Sequence, residues 1–156
     1  MQTIKGKYIL VTGATGGIGA QTVKLLVTGG AHVFITGRNA TALASIAEQY
    51  KISPDKMYTA DLSKATDVAA LQAAYFAVFP GIDILINAAG IGIIKPIEVL
   101  TEDDFMQSLN TNLLASFLLV KAFLPAMKAV KAGLIINIPG VLGKVPMAGA
   151  AAYSAS

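Results

Sequence analysis

Short apolar runs alternate with longer stretches of helical period from Tyr8 to Ile138. Tyr8 to Thr12 predicts a buried strand, and the segment from about Ile18 to Thr28 predicts a helix ended by Gly29-Gly30. His32 to Thr36 predicts a second strand. Leu43, Ile46, Ala47 and Tyr50 then fall at i, i+3, i+4 and i+7, the stripe of an amphipathic helix. Met57 to Ala60 is a weaker strand signal. Val68, Leu71, Tyr75 and Phe79 form another helical stripe, stopped by Pro80-Gly81, and Ile82 to Asn87 predicts a fourth strand. Thr101 with Asp104 resembles a capping box, Asp standing where Glu or Gln is usual. It opens a long helix through about Val130, with a kink expected near Pro125. Leu134 to Ile138 predicts a fifth strand.

This βαβαβαβαβ order, with near-continuous apolar strands, predicts an α/β fold: a doubly wound parallel sheet covered by helices on both faces, in three layers. The 156 residues are one domain's worth, without internal repeat or low-complexity linker. Apolar residues make up 54% and charged residues 13%, which excludes disorder and points to an extensive two-sided core.

Charge and rare residues narrow the chemistry. Twelve Lys and Arg against nine Asp and Glu give +3, scattered without a basic run. That balance favours a phosphate-bearing small ligand and is too weak for a nucleic-acid partner. There is no cysteine, and the single His32 cannot build a metal cluster, so no metal site is expected. The polar start Met1 to Lys7 does not read as a secretory signal. No run reaches the ~18 uninterrupted apolar residues of a membrane span. The run around Leu113 to Leu124 is broken by Ser116 and Lys121. The expectation is a cytoplasmic protein with no membrane partner.

The first strand leads directly into Thr12-Gly13-Ala14-Thr15-Gly16-Gly17-Ile18-Gly19 and then into a helix. Glycine permits positive φ and lets backbone approach a ligand closely. The helix start offers unpaired N–H groups and a partial positive charge to an anion. Gly13, Gly17, Gly19, Ile18 at the helix start and the Thr15 hydroxyl are therefore candidates for holding a pyrophosphate. The spacing is G-x-x-x-G-x-G, unlike the commoner dinucleotide fingerprint. At the end of the second strand stand Thr36-Gly37-Arg38-Asn39, with no acid. An acid there would suit the ribose 2′-hydroxyl of NAD, and an Arg suits the 2′-phosphate of NADP. Arg38 thus favours NADP, with NAD the alternative. Arg38 also reads as a solvated loop residue, with Asn39 capping the next helix.

The spacing of this glycine turn after Thr12 resembles the short-chain dehydrogenase/reductase family. Three further segments carry the resemblance in the right order: Asp61-Leu62, Asn87-Ala88-Ala89-Gly90, and Tyr153-Ser154-Ala155-Ser156. The resemblance implies a Rossmann-type fold and an NADP(H)-dependent oxidoreductase that moves hydride between nicotinamide and a carbonyl or alcohol substrate. It also implies a homodimer or homotetramer. Asp61 and Leu62 would border the adenine, and Asn87 to Gly90 the rest of the cofactor. Asp61 could instead cap the helix beginning near Lys64, although Ser63 is better placed to do so. Tyr153 would be the catalytic acid/base, and Asn112 would support a relay.

The family's Tyr is followed four residues later by a Lys, and the sequence stops at Ser156, one residue short of it. The polypeptide is accordingly expected to continue, the 1–156 dinucleotide-binding domain being incomplete at its C-terminus. The strand at Leu134 to Ile138 should then be an exposed sheet edge. The family's Ser, thirteen residues before the Tyr, falls on Gly140. Losing such a donor typically costs ~2.7–4 kcal/mol of transition-state stabilisation. Two expectations follow: Gly140→Ser raises the rate if that donor is what is lacking, and the alternative is a catalytically impaired dinucleotide-binding or oligomer-forming homologue.

Overall fold

The computed structural model describes residues 3–156. Five parallel strands form one sheet: β1 (Tyr8–Val11), β2 (His32–Gly37), β3 (Met57–Thr59), β4 (Ile84–Asn87) and β5 (Leu134–Asn137), in the order β3-β2-β1-β4-β5. The connecting helices are α1 (Gly17–Thr28), α2 (Ala40–Gln49), α3 (Ala65–Val78), α4 (Glu102–Ser108) and α5 (Ala115–Ala129). A single turn, α6 (Ala151–Ser154), follows β5.

The continuous apolar strands are explained by their register. Leu10 pairs with Phe34 on one side and Leu85 on the other, while Val11 pairs with Ile35 and Ile86. Leu10, Phe34 and Leu85 pack on the α3/α5 face with Leu71, Tyr75, Leu119 and Phe123. Val11, Ile35 and Ile86 pack on the opposite face against Val23 and Leu26 of α1 and Leu43 and Ala47 of α2. Each of these β1, β2 and β4 residues is thus buried on one face or the other, and each fully buried Leu, Ile or Phe contributes about 1.5–3 kcal/mol. Tyr75 sits at the centre of an aromatic cluster with Phe34, Phe79 and Phe123, and its hydroxyl donates to Gly81 O at 3.1 Å. Burial pushes that phenol's pKa well above its ordinary value.

Strand ends differ from the expected ones by one or two residues, at Thr12, Thr36, Ala60, Ile82 and Ile138. The long helix differs more. Thr101 and Asp104 do form a reciprocal capping box at its start. The irregularity lies at Leu109–Leu114, a π-helical stretch, and the helix runs through Pro125 to Ala129. By length and composition the continuous helix Glu102–Ala129 could cross a membrane. In the fold, Ala115, Leu119, Phe123 and Met127 face the core, while Leu113, Phe117 and Leu124 remain outside. β5 is an edge strand with Leu134 half exposed, as the sequence suggests.

Ser63 does not cap α3. Lys64 holds the cap position without a side-chain bond, and Ser63 instead donates its hydroxyl to Asp61 Oδ1 at 2.7 Å and its N–H to the same atom at 3.2 Å. The carboxylate is the stronger acceptor and turns the chain before the helix starts.

Candidate functional site

The strand order reverses direction between β1 and β4, and clefts at such a switch point lie outside the carboxyl ends of the strands. The turn after β1 fills this place. Gly13 has φ +62°, and a Cβ there would lie 2.7 Å from Ala88 O and Ala89 N. Only glycine lets the turn and the loop after β4 touch. The contact is braced by Thr12, fully buried, whose Oγ1 accepts from Ala88 N at 3.1 Å and Ala89 N at 3.2 Å and donates to Ile86 O at 3.3 Å.

A cleft of about 280 Å³ opens beside this contact. Gly13, Thr15, Arg38, Asp61, Leu62 and the Ala88 to Gly90 backbone line it, so strand ends from both halves of the sheet contribute. Gly17, Ile18 and Gly19 stand apart from the lining. Gly19 is buried, and a Cβ there would run into Gly13 O, a packing role. Ile18 is largely exposed, and nothing lies within 4 Å of where a Gly17 side chain would begin. The start of α1 has neither a capping side chain nor an acid in its first turn. An uncapped helix start beside open space fits an anionic group such as a pyrophosphate.

Arg38 reaches the cleft without an ion pair among the described residues. Its neighbour Asn39 caps α2 by accepting from Ala42 N at 2.9 Å. Capping by Asn39 and availability of Arg38 therefore coexist. The hydroxyl of Ser63 holds the Asp61 carboxyl below its usual value, assisted by the Ser63 N–H and Lys64 against an opposing effect of burial. Lys64 Nζ lies 3.6 Å from Asp61 Oδ2.

A second cleft, of about 390 Å³, adjoins the first and shares Ala89 and Gly90 with it. Asn87, Asn112, Asn137, Gly140 and Tyr153 line it. Asn112 comes from the π-helical stretch and is fixed. Its Oδ1 accepts from Ile91 N at 2.8 Å, and its Nδ2 donates to Ile91 O at 3.0 Å and Ser156 Oγ at 2.8 Å. It is a clamp between the loop after β4 and the segment carrying Tyr153. That segment is also docked by Lys95 N–H on Gly149 O at 2.8 Å. The structure thus brings Asn87, Asn112 and Tyr153 to one cleft and the remaining lining candidates to the other.

Asn137 escapes a reading of the sequence. It pairs in register with Asn87 and accepts the Asn87 Nδ2 at 2.8 Å, leaving Asn87 Oδ1 buried without a partner. The signal was available only as two strands that each end in Asn. Among the described residues no group of three or more His, Cys, Asp or Glu is placed to hold a metal ion.

Residues 7–156 match the short chain dehydrogenase family. The chain belongs to that family. A short-chain oxidoreductase from a metagenome, solved in complex with NADP, superimposes with a TM-score of 0.90 at 34% identity, over 99% of this chain and 71% of that one. An uncharacterized oxidoreductase of Staphylococcus saprophyticus is 33% identical over 98% of this chain and 62% of its own length. D-threitol dehydrogenase of Mycolicibacterium smegmatis is 33% identical over 98% of this chain and 60% of its own length. The 3-oxoacyl-acyl-carrier-protein reductase of Vibrio cholerae is 33% identical over 98% and 62% respectively. This short-chain dehydrogenase sequence therefore spans about three fifths of the length of these curated relatives. Its parallel sheet with flanking helices is the Rossmann-type α/β fold of the family.

Proposed function

We propose that the protein is an NADP(H)-dependent oxidoreductase acting on a carbonyl or alcohol, and that residues 1–156 are its dinucleotide-binding domain. The observation that carries this reading is the pair of adjoining clefts, one flanked by the glycine turn and Arg38, the other lined by Tyr153. The metagenomic relative solved with NADP supports the choice of cofactor.

The uncapped start of α1, with Gly13, Thr15, Gly17 and Ile18, would hold the pyrophosphate, and Gly19 would keep the helix close. Arg38 would take the 2′-phosphate through paired N–H donors. Asp61 and Leu62 would border the adenine, and Asn87, Ala88, Ala89 and Gly90 would form the wall toward the nicotinamide. The chemistry that NADPH would supply there, when bound, is a hydride for the substrate carbon. Tyr153, whose hydroxyl makes no hydrogen bond among the described residues, gives its proton to the carbonyl oxygen. Asn112 would hold the Tyr153 segment in place and support reprotonation. In the reverse direction Tyr153, as the phenolate, would take the proton from an alcohol whose hydride passes to the oxidised cofactor. A cytoplasmic, homodimeric or homotetrameric enzyme goes with this reading. The exposed apolar side chains Leu113, Phe117 and Leu124 support the assembly, and light scattering tests it.

The test is NADPH binding by fluorescence followed by NADPH oxidation over a panel of ketones and aldehydes. Binding with turnover is expected, and Tyr153→Phe should abolish turnover while leaving the dissociation constant unchanged. Binding without turnover on any panel member would favour the impaired homologue to which Gly140 points.

A further inference from the structure

Asn39, in the turn after β2, has one end of its side chain committed and the other free. It is the N-cap of α2, and its Oδ1 accepts from Ala42 N at 2.9 Å. A primary amide carries its acceptor and its two donors on different atoms of one plane. With Oδ1 held by the helix, Nδ2 is turned away from it and has no acceptor among the described residues. Asn39 is exposed and lines the first cleft together with Gly37 and Arg38. The cap also uses only one N–H of the first turn. Those of Ala40 and Thr41 have no acceptor among the described residues, and the turn holds no acid. The end of β2 therefore gathers a guanidinium, a fixed amide donor and a helix start that favours an anion.

We infer that Asn39 is a second specificity-determining residue for the 2′-phosphate: capping fixes its amide, and the fixed Nδ2 donates to a phosphate oxygen that Arg38 leaves free. This rests on the reading of the first cleft as an NADP site. A phosphate monoester offers three terminal oxygens, and a guanidinium fork engages two of them. The third needs a donor from elsewhere, and Asn39 is the next residue in the chain. Its side chain has already lost its rotamer freedom to the cap, so donating adds little ordering cost on binding. Arg38 has no ion pair among the described residues to hold it and is ordered by the phosphate itself. Cap and ligand donor are thus not rival roles for Asn39, because they use different atoms. A ligand with a 2′-hydroxyl lacks the charge that makes such a hydrogen bond strong, so it loses little without Asn39.

The two roles can be separated by substitution in the full chain. Asp at an N-cap keeps the acceptor and has no donor, and Gly there is nearly as good a cap with no side chain at all. Asn39→Asp and Asn39→Gly should therefore melt within about 2 °C of the native protein. Binding is measured by calorimetry for two pairs that differ in the 2′-phosphate: NADPH with NADH, and adenosine 2′,5′-bisphosphate with adenosine 5′-monophosphate. Asn39→Gly should bind the 2′-phosphorylated member of each pair roughly tenfold more weakly. Asn39→Asp should weaken it by about a hundredfold, its carboxylate adding repulsion. The other member should stay within about twofold of native in both variants. An Asn39→Gly variant that keeps the native preference would overturn the inference whatever Asn39→Asp does, since a carboxylate repels a phosphate without any donor having been lost. Equal weakening of both members would overturn it as well, leaving Asn39 a cap alone. A native preference that Arg38→Glu abolishes and Asn39→Gly leaves intact defeats this inference and spares the NADP reading. A native chain with no preference for the 2′-phosphate defeats both.

Discussion

Thr12 is the residue on which the two halves of the first cleft depend. Replacing it with Val keeps the shape and leaves the Ala88 and Ala89 N–H groups without their acceptor. A fully buried unpaired donor costs about 1–3 kcal/mol, and these two are partly buried. Thr12→Val should therefore lower unfolding free energy in urea by about 1–3 kcal/mol, and Thr12→Ser should recover most of it. Arg38 presents the converse case, a side chain with no ion-pair partner among the described residues to lose. Arg38→Glu should leave the melting temperature unchanged and weaken NADPH binding by tenfold or more, while NADH is affected far less. Equal losses for both cofactors would remove Arg38 from the 2′-phosphate site. Residues of this kind were legible in the sequence because their neighbours are adjacent in the chain: the glycine spacing, the strand end at Arg38, the Asn39 cap. Asn137 was not legible, since its partner Asn87 is fifty residues away and they meet only through strand register. Ser63 was misread for a related reason: its choice of Asp61 over the helix end depends on how the chain turns, and spacing does not specify that.

The elements show how much of the pattern survives folding. All five strands and the main helices fall where apolar periodicity places them, because each strand must face two helical layers. The long helix departs from its pattern at Leu109–Leu114, where no Pro or Gly announces the change. The π-helical turn places Asn112 against Ile91, a tertiary contact that outweighs the local preference for an α-helix. At the start of α4, Asp104 closes the capping box and takes Lys95 Nζ at 2.6 Å. The Lys95 ammonium, then the Thr101 hydroxyl and N–H, hold the Asp104 carboxyl below its ordinary value. A carboxyl lowered on folding stabilises fully above the unfolded value of ~3.9 and loses that contribution as pH falls through the lower folded value. Asp104→Asn should thus lower the melting temperature at neutral pH, and the gap to the native protein should shrink as the pH is taken below 4 (roughly the unfolded carboxyl value). A gap independent of pH would deny the carboxylate its role. Thr101→Ala should cost about 1 kcal/mol at neutral pH.

For the whole molecule, the sheet order sets the place of the site. Three strands wind outward from β1 through β2 to β3, then the chain crosses to β4 and β5 on the other side. This order could be anticipated from the alternation of strands and helices together with the glycine turn, but the alternation alone fits other orders too. What decided it is contact between distant loops at Gly13 and Ala88. A ligand bridging those loops ties both halves of the sheet. NADPH at one hundred times its dissociation constant should stabilise the fold by ~2.7 kcal/mol. For a chain of this length that raises the melting temperature by roughly 5–10 °C. NADPH that leaves the melting curve unmoved would argue against binding to the folded state.

The two clefts share one short stretch of main chain, Ala89 and Gly90. Gly90 has little beyond it, since a Cβ there would come within 3.4 Å of Asn112 Oδ1. A partition one backbone thick transmits pressure in both directions. A ligand in the first cleft that shifts this stretch changes the room in the second, and thermodynamic linkage makes the influence equal and mutual. Fragments selected against one cleft would then titrate differently once the other is filled, by the same factor whichever of the two arrives first.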